Sequence, residues 1–219
     1  MVVGCAVFDF DGTLVQSVEI KRRGFFAVTK GIPGAADALD DVLADPHSGD
    51  RHQVFAELVA RLRARGMREV PAPQQLAAAY SRYCEEGIAI CPEVPGAARS
   101  LEVLRDGGLR LYLHSRTPLN ALQPLVRLRG LDRHFLQVFG APQSRREAVY
   151  SVLERERLSP EQVLLVSDDG GDASLADEIG LQFVGVVLEG NRAPPEFSGR
   201  AVLANLAALP AMAGLAAVH

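Results

Sequence analysis

Tryptophan is absent from this 219-residue chain, and lysine nearly so: Lys21 and Lys30 stand against 21 arginines. No lysine follows position 30, so a cation needed later in the chain cannot be lysine. Cysteine is scarce as well. Cys5, Cys84 and Cys91 form no Cys-x-x-Cys pair and leave an odd thiol, which argues against a disulfide framework and fits a reducing cytoplasm. The chain has no run of about 20 strongly apolar residues. Its first apolar stretch stops at Asp9 with no basic segment ahead of it, so neither a signal peptide nor a spanning helix is expected. The alanine-rich tail over 201–218 is broken by Asn205, Pro210 and Gly214 and reads as a strand and a helix packed on the core. A net charge of -4 leaves no basic footprint for nucleic acid. Internal repeats and low-complexity linkers are missing too.

What remains is an ordinary globular composition, 48% hydrophobic and 23% charged, long enough for one domain with an insertion or two small ones. The most informative stretch is 2–17. Val2 to Phe8 is almost wholly apolar and then gives way to Asp9-Phe10-Asp11-Gly12-Thr13. A short run without polar alternation predicts a strand buried on both faces, hence central in a parallel sheet. Such sheets bind ligands beyond the carboxyl ends of their strands, where Asp9 emerges. Two carboxylates flanking one residue, then a glycine bend at Gly12 and the Thr13 hydroxyl, suit phosphate chemistry. One acid can attack phosphorus, the other can move a proton, and hydroxyl and loop amides can hold oxygens.

Two textures follow. Residues 17–29, 35–43, 51–65 and 73–86 predict helices, the third with Val54, Phe55, Leu58, Val59 and Leu62 at helical spacing. After Pro92 and Pro95-Gly96, strands (109–114, 135–139, 163–167, 183–187) alternate with helices (97–105, 118–128, 144–157, 172–179). That alternation predicts a Rossmann-like α/β core, a parallel sheet with helices on both faces. The first strand belongs to it. The expected division is a core over 1–16 and 93–219, with an all-helical cap inserted over 17–92.

Three later segments are candidates for the same sheet edge. The strand ending at Ser115 offers a hydroxyl and an amide for phosphate, although serine also caps helices. Arg116 follows as a substrate contact or a loop-surface residue. Val163 to Ser167 ends at Asp168 and Asp169, with Asp172 opening a helix. Three acids in five positions facing Asp9 would repel one another without a cation, and a hard ion held by few carboxylates, waters and a substrate phosphate describes magnesium. Gly140 to Glu147 adds Arg145 and Arg146 at a helix start, where a cation could stabilise charge on a phosphoryl group in transfer.

With these segments in their order, the chain resembles the haloacid dehalogenase-like superfamily, specifically its phosphatases with a helical cap inserted after the first motif. The resemblance implies that Asp9 is the nucleophile that becomes an aspartyl-phosphate, and that Asp11 is the general acid and base. It also implies that Asp9, the Asp11 carbonyl and Asp168 bind Mg2+, and that Thr13 and Ser115 hold phosphate oxygens. Gly12, Asp169 and Asp172 play supporting parts, Asp172 orienting the basic residue or the metal's waters. A looser likeness of Ser17 to Lys21 and Ser48 to Arg51 points to phosphatases of ill-defined substrate.

Two positions depart from the family. Arg145 stands where lysine is usual, in a Gly-x-Pro-x-Ser-basic-x-Glu setting, and Gln16 stands where aspartate is common. Arginine keeps the charge but brings a planar fork. Asp11 argues against dehalogenases and phosphonate-cleaving relatives and for phosphate esters. A magnesium-dependent phosphatase acting on a small phosphorylated metabolite is the resulting expectation. A phosphosugar mutase, a phosphotransferase or a non-catalytic phosphate-ligand-binding protein on the same core are the alternatives. No membrane or nucleic-acid partner is expected, and the oligomeric state has no signature. His47, His52, His114, His134 and His219 show no metal-ligand spacing; only His114, beside Ser115, is placed to approach the site. Arg51, in the cap, is a further candidate for meeting the leaving group, and Cys5 is expected to pack inside the first strand.

Overall fold

A computed structural model of the chain describes residues 3–45 and 49–214; His47, Ser48 and His219 lie outside them. Contacts divide the chain into two compact units, one running to Gln16 and resuming at Cys91, the other Ser17–Ile90.

The first unit is built on six strands: β1 (Cys5–Phe8), β2 (Arg110–Pro118), β3 (Gln137–Ala141), β4 (Val163–Ser167), β5 (Gln182–Val186) and β6 (Ala201–Leu203). They pair in the order β3-β2-β1-β4-β5-β6 with every neighbour parallel. β1 is central because it has nothing polar to offer water: all four residues are fully buried. Alternation along the strands sends Cys5, Val7, Tyr112, Val163 and Leu165 to one face. There they pack on Val149 and Val152 of α7 (Arg145–Glu156) and on Ala173 and Ala176 of α8 (Gly170–Ile179). Leu111 and Leu113 take the alternate face, and β2 also contacts α5 (Ala97–Asp106) and α6 (Leu119–Leu128).

The parallel sheet and flanking helices agree with the sequence; several boundaries differ by a few residues, two of them beside the site. Pro118, read as a helix start, instead ends β2 in extended backbone at φ -52 and ψ 136, and the helix begins at Leu119. Asp172 was expected to open its helix; α8 begins two residues earlier, with Asp169 as the N-cap. The tail supplies β6 and a short α9 (Leu209–Met212), within the described residues.

In this strand order the direction of winding reverses between β1 and β4. Loops leave that point to opposite sides and open a crevice at the carboxyl ends. Asp9 follows β1, and Asp168 and Asp169 follow β4. β2, on the other flank of β1, delivers Ser115 through Thr117. Gly140, near the end of β3, lies so close to neighbouring backbone that a β-carbon there would sit 2.7 Å from the Thr117 carbonyl oxygen.

The second unit is four helices: α1 (Val18–Val28), α2 (Ala35–Leu43), α3 (Arg51–Ala64) and α4 (Pro73–Ile90). Asp50 caps α3 by accepting from the amides of His52 and Gln53, and Gln53 returns a bond to the Asp50 amide. The unit's interior holds Phe25, Phe55 and Tyr80, with Phe25 and Tyr80 ring centroids 4.3 Å apart. Arg51 lies over Tyr80 and donates to Ser81 Oγ at 2.7 Å.

Candidate active site

Asp9 extends the β1 ladder by donating its amide to the Val166 carbonyl at 2.9 Å, and only 8% of it is exposed. Its Oδ1 lies 2.7 Å from Arg145 Nη2, which is also 2.9 Å from Asp172 Oδ2. Arg145 Nη1 donates to the His114 carbonyl at 3.1 Å, so the fork is held from two sides. Helix α7 puts the arginine there. Ser144 and Glu147 form a reciprocal cap, the Glu147 carboxylate accepting the Ser144 amide at 2.7 Å, which leaves Arg145 as the first helical residue. A cation at a helix N-terminus opposes the helix dipole; here Asp9 and Asp172 offset that cost. Arg146, about 100° further round the helix, pairs instead with Glu178 at the surface.

Asp168 is anchored by Thr13, whose Oγ accepts the Asp168 amide at 3.0 Å and donates to Asp168 Oδ1 at 3.2 Å. The sequence reading put this hydroxyl on a phosphate oxygen. In the structure Thr13 is fully buried and bonded on both sides to Asp168, because β1 and β4 are adjacent and their loops meet. Ser167 is a contributor that the sequence reading passed over. Its Oγ donates to Asp172 Oδ2 at 2.5 Å and accepts the Asp169 amide at 3.1 Å. A lone polar residue closing an apolar strand was the available signal. Asp169 is explained by its cap, accepting the Gly171 amide at 2.7 Å, and by Arg116, which reaches it at 2.7 Å.

Asp11 lies across from these groups. Ser115 Oγ donates to Asp11 Oδ2 at 3.1 Å, and Thr117 Oγ1 lies 3.5 Å from the same oxygen. Thr117 carried no sequence signal. Between the acids' loop and the next strand turn, Gly12 takes φ +75, a conformation glycine adopts without strain, and donates to the Val15 carbonyl at 2.8 Å. The structure thus brings Asp9, Arg145 and Asp172 into contact, joins Asp11 to Ser115 and Thr13 to Asp168, and leaves Arg146 outside.

Electrostatics follow from burial. Burial pushes the Asp168 carboxyl up to about 8, with the charge of Asp9 adding to it. Asp172 is raised to about 6 by burial, against the pull of Arg145. Asp9 is raised as well, by burial first, despite Arg145. Burial works against the Arg145 charge, but Asp9 and Asp172 outweigh it and its pKa is raised. The His114 ring, lowered to about 4 by burial and then by Arg145, is neutral and lies 3.0 Å from the Gln143 carbonyl through Nε2. Donating to that carbonyl requires the proton on Nε2.

Residues 3–180 match the family of haloacid dehalogenase-like hydrolases. A phosphoglycolate phosphatase of Pseudomonas fluorescens is 26% identical over 210 residues, covering 93% of this chain and 77% of that protein. One from Cereibacter sphaeroides is 30% identical over 199 residues, covering 86% and 87%. Among solved structures, a predicted phosphoglycolate phosphatase from Haemophilus somnus superposes with a TM-score of 0.77 at 21% identity, over 96% of this chain and 97% of that one. A putative β-phosphoglucomutase from Thermotoga maritima gives 0.74 at 19%, over 97% and 98%. The putative hydrolase YfnB from Bacillus subtilis, bound to magnesium, gives 0.76 at 17%, over 98% and 100%. These three structures speak to the fold alone. A family match that runs from β1 through both acid-tipped strands makes this chain a member of the haloacid dehalogenase-like hydrolases.

Proposed function

We propose that the chain is a magnesium-dependent phosphatase that releases phosphate from a small phosphorylated metabolite through an aspartyl-phosphate on Asp9. The observation that carries this reading is Asp9 itself. It stands at the carboxyl end of the central strand, held by a buried arginine, with a second carboxylate, Asp11, hydrogen-bonded to Ser115 on the neighbouring strand. In the first half-reaction an Asp9 oxygen bonds to phosphorus as the ester P–O bond breaks, and Asp11 gives the departing alkoxide its proton. In the second, Asp11 takes a proton from water, the hydroxide displaces Asp9 from phosphorus, and free phosphate leaves. Ser115 holds a phosphoryl oxygen, and Arg145 balances the charge spread over the others.

The donor set fits magnesium. Asp9, Asp168 and Asp172 with one guanidinium leave two negative charges when ionised, and burial first, then the charge of Asp9, raises the Asp168 carboxyl. Among the described residues no group of three or more His, Cys, Asp or Glu side chains is arranged to enclose a metal. Magnesium needs no such cage, since it is commonly held by one or two carboxylates, waters and the substrate's phosphate. Asp9 and Asp168 would hold it, with the Asp11 carbonyl, and Thr13 would fix Asp168. Bound there, the ion supplies charge neutralisation to the phosphoryl oxygens. The curated phosphoglycolate phosphatases and the magnesium-bound Bacillus protein support this reading.

The fold relative described as a β-phosphoglucomutase keeps a mutase as the second reading. A mutase returns the phosphoryl group to a sugar, whereas a phosphatase gives it to water. Release of inorganic phosphate, dependent on magnesium and stopped by chelator, decides between them. Asp9→Asn should abolish turnover. Asp11→Asn should form the adduct from an activated aryl phosphate and then stall, visible as a phosphorylated Asp9 by mass spectrometry after acid quench. Normal turnover by Asp9→Asn would sink the mechanism.

A further inference from the structure

Arg116 is not used by the chemistry above, yet it stands beside it. Alternation along β2 buries Ser115 and Thr117, both reaching Asp11, and leaves Arg116 with a side chain 84% exposed. Its guanidinium pairs with Asp169 at 2.7 Å. β2 and β4 are the two neighbours of β1, so an ion pair from the end of one to the end of the other crosses the end of β1, where Asp9 lies. That span is two strand spacings, about 10 Å, which the long arginine stem bridges. Exposed ion pairs contribute little to stability, so Arg116 can leave Asp169 at small cost, and Asp169 keeps its amide bond from Gly171 when it does.

We propose that Arg116 selects the substrate. It exchanges Asp169 for a second anionic group on the ester, so the substrate class is a small phosphate monoester that also bears a carboxylate or a second phosphate. The phosphoryl group being transferred is served by buried partners, Arg145 and Ser115. A cation at the exposed rim, one residue outside them, meets the part of the ester that departs. The rim otherwise carries Asp168 and Asp169, which would repel a second anion unless Arg116 turned to it. A guanidinium fork matches carboxylate and phosphate alike.

This inference rests on the phosphatase reading, and the test separates the two. Parent, Arg116→Ala and Arg116→Lys are assayed with magnesium on p-nitrophenyl phosphate, ethyl phosphate, 2-phosphoglycolate and a pentose bisphosphate, after thermal melts confirm folding. The readout is the ratio of kcat/KM for each doubly anionic ester to that for ethyl phosphate. A charge-assisted contact corresponds to a fall in that ratio of roughly tenfold to a hundredfold in Arg116→Ala, with part of it restored in Arg116→Lys. Which of the two esters loses more identifies the second anion as carboxylate or phosphate. A purely structural role for Arg116 would lower all substrates together and leave the ratio unchanged; that result overturns the proposal. So does a parent enzyme that turns over ethyl phosphate as well as the doubly anionic esters. A parent that releases phosphate from none of the four overturns the phosphatase reading, and the substrate assignment with it.

Discussion

Replacing Arg145 with alanine separates catalysis from stability. The guanidinium touches Asp9 at 2.7 Å, Asp172 at 2.9 Å and the His114 carbonyl at 3.1 Å. Breaking a buried ion pair ordinarily costs about 3–5 kcal/mol, because a charge is stranded. Here the stranded acids can escape by taking up protons. Asp172 already titrates at about 6 against an ordinary 3.8. Neutralising it near pH 7 therefore costs the folded state little beyond keeping it ionised beside arginine. Asp9, likewise raised, has the same way out. The expected loss of stability is about 1–3 kcal/mol, below the full penalty. Turnover has no such escape, since a protonated Asp9 is a poor nucleophile and the phosphoryl charge has lost its partner, so a fall of about 10²–10³-fold is expected. Urea midpoints in chelator and phosphate release with magnesium measure the two effects. Arg145→Lys keeps the charge but cannot reach Asp9, Asp172 and the His114 carbonyl together, and should retain partial turnover. Arg146→Ala should change turnover little. Arg145→Ala turning over within tenfold of the parent, or Arg146→Ala failing in its place, would refute the reasoning.

Three further outcomes are expected. Thr13→Val keeps shape but removes both bonds to Asp168, so the magnesium concentration giving half-maximal activity should rise, while an unchanged titration would return Thr13 to simple packing. Gly140→Ala drives a methyl to within 2.7 Å of the Thr117 carbonyl and 2.9 Å of the Leu119 backbone; overpacking of this kind costs about 1–3 kcal/mol, read as a lowered urea midpoint. For His114 the folded pKa lies below the unfolded value of 6.5, so its contribution to stability is intact above pH 6.5 and is lost as pH falls toward about 4. The parent should lose about 3 kcal/mol more than His114→Gln across that interval, and superimposable pH–stability curves would contradict it.

Much of the site was legible because its acids terminate apolar runs. A buried strand can tolerate Asp9 or Asp168 only where it ends, so the change from Phe8 to Asp9 and from Ser167 to Asp168 marks both strand ends, at the edge where such sheets bind ligands. Arg145 was legible through its Ser144 and Glu147 neighbours, which prove to be the reciprocal cap that places it. The bonds of Thr13 to Asp168 were not, since only the adjacency of β1 and β4 brings those two loops together. Nor was the start of α8. Gly170 and Gly171 are poor helix formers, so the sequence places the helix start at Asp172, whereas the Asp169 cap outweighs that weak propensity. Strand order and the crossing of Arg116 to Asp169 are tertiary facts with no local trace.

The chain leaves the core at Gln16 and returns at Cys91, and the two crossings are tied to each other. Gln16 donates its amide to the Pro92 carbonyl at 2.9 Å and its side chain to Glu93 at 2.8 Å, and the Val94 amide bonds the Leu14 carbonyl at 2.9 Å. The helical segment therefore hangs from a closed gate whose posts both belong to the first unit. Loop-closure entropy grows only slowly with length, so with its ends already pinned, the core is nearly indifferent to how much chain lies between them. A different insert, or a short turn, could be grafted between Gln16 and Cys91 while Asp9 keeps its place, which makes this junction a natural point for exchanging whole segments.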